Sequence, residues 1–247
     1  MNRLGGSSRL RFAVPWGIGW VWSAMLLLVP AGTGLAGGGP LVEGRVTILD
    51  REGHPKAEHD GVVVFLDELE HPPPLAPPQA RPAIRQVHKS FIPGVLPVLA
   101  GTTIEFPNDD TVYHNVFSLS RAKPFDLGLY EQGGSQSVTF DQPGLVKVYC
   151  NIHPQMVAYV LVLANPYFTM TDREGRFIIA DVPLGNATVR AWYPLTRDQP
   201  ERPIKVGPEG IQDLNLQLIE QLNLEIREEI VPLTHKNKLG QEYPARY

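Results

Sequence analysis

The only cysteine of the chain, Cys150, begins the run Cys150-Asn151-Ile152-His153-Pro154-Gln155-Met156. A thiolate, an imidazole and a thioether therefore stand at three-residue intervals, after an apolar stretch that contains Leu145, Val146 and Val148. A second histidine, His114, lies upstream in Tyr113-His114-Asn115-Val116-Phe117. Two imidazoles and a thiolate in a plane, with a weak thioether on the axis, are the ligand set of a mononuclear blue-copper site. The soft sulfurs suit Cu(I) and the imidazoles accept both oxidation states, so the set suits one-electron chemistry.

Such ligands need a rigid frame. Strand alternation puts Val146, Val148 and Cys150 on one face and Lys147 and Tyr149 on the other. Cys150 thus leaves the core face where the chain must turn, with His153 and Met156 on the turn and Pro154 stiffening it. His114 shares a strand face with Val116 and can approach the same end. His54, His59, His71, His88 and His235 each stand alone in turn-like or proline-rich surroundings, and read as solvated or structurally bonded. Asp109 and Asp110 could attract a cation, but after Pro107-Asn108 they read as turn residues.

Short strands supply the frame. Apolar and β-branched runs at 44–49, 61–66, 84–91, 102–106, 113–118, 135–140, 145–150 and 157–163 are separated by Gly, Pro, Asn and Asp. This predicts an all-β, antiparallel sandwich or barrel. The proline-rich segment 71–82 cannot join a central ladder and reads as an extended surface loop. A second small β-unit is expected over 165–220, with strands at 167–171, 176–179, 187–192 and 211–219. It is too small to be comfortable alone and should pack on the first unit, 37–164. The charged tail, 221–247, fits a strand or a helix equally.

The first 36 residues carry Arg3, Arg9 and Arg11, an apolar run from 16 to 29, Pro30, and small residues up to Ala36. That order is expected of a secretory signal peptide cleaved near Ala36. An uncleaved anchor is the competing reading, but Pro15, Gly17, Gly19 and Pro30 break the run below the ~20 residues of a bilayer span. The expectation is a periplasmic or otherwise exported chain with no stable membrane insertion after cleavage. Without the leader's three arginines the net charge of −4 becomes −7. That balance argues against nucleic acid, whose phosphates demand a basic surface. In an oxidising compartment a lone cysteine is expected to be reactive or occupied. The plainer alternative is a buried, inert thiol.

Four segments carry a resemblance. Phe91-Ile92-Pro93, the stretch from Ala100 to Asp110, His114-Asn115-Val116-Phe117, and Cys150, His153 and Met156 at their spacing resemble the cupredoxins, in particular plastocyanin and amicyanin. The resemblance covers about residues 42–164, and the short loop with His153 before Pro154 is closer to amicyanin. It implies a Greek-key β-sandwich holding one type 1 copper, with His114, Cys150 and His153 equatorial and Met156 axial. It also implies that Asn115 ties the two ligand segments together, its backbone N–H reaching the Cys150 sulfur. Plastocyanin has proline two residues after the cysteine; Ile152 here leaves a second N–H free to bond the sulfur. The 165–220 unit resembles carboxypeptidase-regulatory or transthyretin-like β-domains, which implies no chemistry.

The expected function is a carrier of single electrons, not an enzyme; a carrier needs an exposed edge of one ligand, and the resemblance implies that this edge belongs to His153. Its partners would be redox proteins such as a c-type cytochrome or a dehydrogenase, met in small transient contacts. The alternative is a copper-binding or copper-delivery module without electron-transfer turnover. Only four methionines occur, two of them (Met1 and Met25) in the leader, which disfavours it. No phosphate loop, zinc-protease helix or nucleophile elbow offers a catalytic residue.

Overall fold

The computed structural model describes residues 38–74, 78–196 and 199–221, together with the backbone of two short strands at 234–236 and 242–244. The expected leader and most of the expected tail lie outside the described residues. Among the described residues there is no helix, and none that could cross a membrane.

The first strands are β1 (Val42–Leu49), β2 (Val63–Asp67), β3 (Arg85–Val87), β4 (Ser90–Ile92), β5 (Val95–Leu99) and β6 (Thr102–Pro107). Then come β7 (His114–Ser118), β8 (Phe125–Tyr130), β9 (Ser135–Phe140), β10 (Gly144–Tyr149) and β11 (Val157–Leu163). The rest are β12 (Phe168–Met170), β13 (Arg176–Ile179), β14 (Gly185–Trp192), β15 (Glu201–Val206) and β16 (Ile211–Ile219), followed by β17 (Thr234–Lys236) and β18 (Glu242–Pro244).

Residues 84–163 form one sandwich. A five-stranded sheet, in the order β5-β11-β10-β7-β8, faces the pairs β6-β9 and β3-β4. Alternation decides what enters its core: Val146 and Val148 of β10 and Ala158, Val160 and Val162 of β11 meet Ile104, Phe106, Val116 and Phe140. Cys150 and Met156 belong to the same core, at its end. The intervening residues of β11, Tyr159, Leu161 and Leu163, point out of the opposite face. They are buried too, because Val63 of β2 and Trp192 of β14 pack on them. A strand covered on both faces reads as a continuous apolar run, as β11 does.

The second sandwich differs from the sequence expectation. The sheets β13-β1-β16 and β12-β2-β14-β15 enclose Val42, Val46, Ile48, Val64, Leu66, Phe177, Val189, Leu216 and Leu218. Strands β1 and β2, which the reading above gave to the first unit, therefore belong with the strands after 164. β1 runs parallel to β16, with Val46 opposite Leu216, and β2 is antiparallel to β14, with Leu66 opposite Val189. A boundary near 164 does not follow the sheets. Periodicity shows that a segment is a strand, but it carries no record of a distant partner. The second sandwich is accordingly larger than its expected 56-residue span (165–220).

Three strands went unexpected. Pro97 in β5 and Pro203 in β15 argue against central strands, and both lie on sheet edges, where a missing N–H is tolerated. Asp126 and Gly128 interrupt the pattern of β8. The expected strand 84–91 is instead the hairpin β3-β4, turning at His88 and Lys89 with φ of 49° and 54°. Each such residue costs about 1–2 kcal/mol where no glycine is present.

Candidate metal centre

His114 is the first residue of β7 and is fully buried; Cys150 follows the last residue of β10; His153 stands on the loop to β11. Their ligand atoms converge. His114 Nδ1 lies 3.1 Å from His153 Nδ1, and the Cys150 sulfur lies 3.7 Å from each of these nitrogens. Among the described residues this is the one group of three or more His, Cys, Asp and Glu side chains close enough to share an ion. A point equidistant from the three atoms is about 2.0 Å from each, within the ~2.0–2.3 Å range of imidazole and thiolate bonds to a first-row ion. The donor set and its spacing fit a metal. Met156 is buried in the same core as Cys150, and its N–H donates to the His153 carbonyl at 2.9 Å, closing the loop.

The sulfur is surrounded by backbone donors. The N–H groups of Asn115, Ile152 and His153 all reach it. The expected Asn115 contact and the second donor at Ile152 are both present. Burial nevertheless pushes the Cys150 thiol above its ordinary value, and the three N–H groups oppose that shift. His153 is held below the usual imidazole value, first by burial, then by repulsion from His114 and Lys89; the Asp110 carboxylate acts in the opposite direction.

Among the solved structures it resembles are amicyanin, a purple cupredoxin and a copper-containing nitrite reductase. A mutant of amicyanin in the Cu(I) state is 20% identical, with a TM-score of 0.32, over 34% of this chain and 82% of that one. The purple cupredoxin from Nitrosopumilus maritimus is 28% identical, with a TM-score of 0.30, over 33% of this chain and 99% of its own. The Cu-containing nitrite reductase from Thermus scotoductus SA-01 is 26% identical, with a TM-score of 0.34, over 39% of this chain and 26% of that one. The chain matches no protein-family model and no curated relative.

Around the three donors lie residues that the sequence did not single out. Asp110, read as a turn residue, accepts a hydrogen bond from His114 Nε2 at 3.0 Å, fixing which ring nitrogen is left for a metal. The Lys89 N–H, the larger influence, and the bond to His114 hold the Asp110 carboxyl below its ordinary value. Asn115 does more than lend its N–H. Its Nδ2 donates to Asp126 at 2.6 Å, and Asp126 also accepts the Gly128 N–H at 2.8 Å. Tyr130, opposite His114 in the β7-β8 ladder, donates its hydroxyl to the Phe106 carbonyl at 2.9 Å and accepts from Gln86 Nε2 at 2.6 Å. Burial pushes the Tyr130 phenol well up, so it stays a neutral donor. The spacing of Asp110 to His114, four residues, was the one available signal; Tyr130 and Gln86 carried none.

Proposed function

We propose that His114, Cys150 and His153 hold one type 1 copper ion, with Met156 as its axial sulfur, and that the protein carries single electrons in an exported compartment. The observation that supports this most is the nitrogen–nitrogen–sulfur triangle at 3.1 and 3.7 Å. When bound, copper supplies the one-electron change between Cu(II) and Cu(I). The chain's own residues do the rest. Three N–H groups on the Cys150 sulfur draw charge from the thiolate, which favours the reduced ion. Asp110 orients His114, and the rigid β7 and β10 ends keep the donors apart at one spacing.

A carrier is the better reading than an enzyme because Met156 as the proposed fourth donor would leave no ligand position open, whereas catalytic sites keep one open. His114 and Cys150 are buried, while His153 is partly exposed and forms the edge through which an electron passes. Partners are redox proteins such as a c-type cytochrome or a dehydrogenase, in contacts at the small end of protein interfaces. The test is to add Cu(II) to the purified protein, record the thiolate-to-copper charge-transfer band, and mix the blue form with reduced cytochrome c in a stopped flow. An intense visible band that bleaches on mixing is expected. No band would refute the copper site. A band without electron exchange would favour copper delivery.

A further inference from the structure

One carboxylate joins the strained β3-β4 turn to the buried ligand. His88 and Lys89 both lie in the left-handed region, at φ 49° and 54°, in a hairpin position that favours Asn-Gly. Both are exposed, so side-chain packing does not hold the turn. Asp110 Oδ2 holds it instead. That oxygen accepts the Lys89 N–H at 2.6 Å and meets His114 Nε2 at 3.0 Å. The His88 N–H also reaches the Asp110 carboxylate. The carboxylate is itself fixed from behind: the Asp110 N–H donates to Asn108 Oδ1 at 3.0 Å, and Asn108 Nδ2 donates to the carbonyls of Val112 and Tyr130. The Asp109 N–H donates to the Gln86 carbonyl of β3 at 3.1 Å, and Arg85 pairs with Asp109 at 2.6 Å. Segment 108–110 is thus laced to the hairpin on one side and to β7 and β8 on the other.

We propose that Asp110 is a positioning residue that couples the exposed His88–Lys89 turn to His114, so that a change in the turn is felt at the metal. A shared acceptor has this consequence. If the turn relaxes and Lys89 N–H withdraws, the oxygen bonds His114 more strongly, which changes the basicity of the ring and its hold on the ion. The turn also lies within electrostatic reach of His153, the partly exposed member of the cluster.

The electrochemical consequence rests on the copper reading, but the coupling can be tested without copper. In the metal-free protein, Asp110→Ala is expected to speed amide exchange of Lys89 and to alter the 15N shift of His114 Nε2; Asp110→Asn, a weaker acceptor, should do so less. Unchanged exchange and an unchanged His114 shift in both variants would overturn the coupling. In the copper-loaded protein, Asp110→Asn should raise the midpoint potential, since a negative charge near the ion is lost. Lys89→Pro deletes the N–H that Asp110 accepts, cannot hold the positive φ of the turn, and removes a charge; its direct charge effect persists whatever stands at 110, while the relayed part does not. The potential shift caused by Lys89→Pro should therefore differ between the Asp110 and Asp110→Asn backgrounds. Equal shifts would overturn the proposal. A wild type that gives no blue copper would remove the copper reading and leave the metal-free measurements to decide the coupling.

Discussion

Leu161→Ala in β11 tests whether the two sandwiches stand or fall together. Leu161 points away from the metal-bearing core, yet it is only 7% exposed because Val63 and Trp192 of the second sandwich cover it. The change removes three carbons, about 2.4 kcal/mol at about 0.8 kcal/mol per buried carbon. The cavity term brings the cost to about 3 kcal/mol, inside the roughly 2–5 kcal/mol range for Leu→Ala. That is about a hundredfold in the unfolding constant, and about 6–12 °C in Tm for a chain of this size. Two probes separate the sandwiches. Trp16, Trp20 and Trp22 precede Ala36, so a chain prepared from residue 37 onward keeps only Trp192, and its fluorescence reports the interface alone. The copper charge-transfer band reports the centre, where β10 and β11 meet. Urea unfolding of the variant should move both midpoints by the same amount. A fluorescence midpoint that falls while the colour keeps its wild-type midpoint would refute the reasoning, because β11 would then not transmit the loss.

Cys150→Ser should abolish the blue colour, since a hydroxyl gives no thiolate charge transfer; an unchanged spectrum would make Cys150 an inert core thiol. Met156→Leu should keep copper and colour and raise the midpoint potential in voltammetry, because loss of the weak axial sulfur favours Cu(I). Asn115→Ala removes the link to Asp126 beside the N–H that bonds the sulfur, and should shift the potential and weaken copper binding by about 10–100-fold. The pH dependence of metal uptake follows from the thiol. Burial raises the Cys150 value and lowers that of His153, so near neutral pH the thiol proton is the one that must leave. Affinity in competition titrations should therefore rise about tenfold per pH unit around neutrality, and a flat profile would exclude the thiolate as a ligand.

The meeting of Cys150 and His153 was legible because it is local: both stand on one short loop, and the strand before it fixes where Cys150 emerges. Asp110 shows why the rest was harder to read. Its backbone does what the sequence suggested, bonding Asn108 Oδ1 as a turn residue does, while its side chain turns inward to His114. Backbone role and side-chain role are separate questions, and turn chemistry answers only the first. Strands β1 and β2 were visible as strands but not as members of the second sandwich, since nothing in Val42–Leu49 marks its pairing with a segment near the other end of the chain. Pro97 and Pro203 hid their strands because an edge position, which excuses proline, is a property of the sheet and not of the segment.

The pairing of β1 with β16 has a kinetic consequence. Val46 leaves the ribosome long before Leu216, and the whole metal-bearing sandwich is synthesised in between. Until β12 and β14 arrive for β2, and β13 and then β16 for β1, these two strands present unpaired backbone and the apolar residues Val46, Ile48, Val64 and Leu66 to whatever is nearby. Closing so long a loop is slow, and strands that wait are open to association with other copies. The early segment therefore needs either protection during synthesis or rapid closure once the last strand is free. The metal centre, whose strands are close together in the chain, can form before that closure occurs.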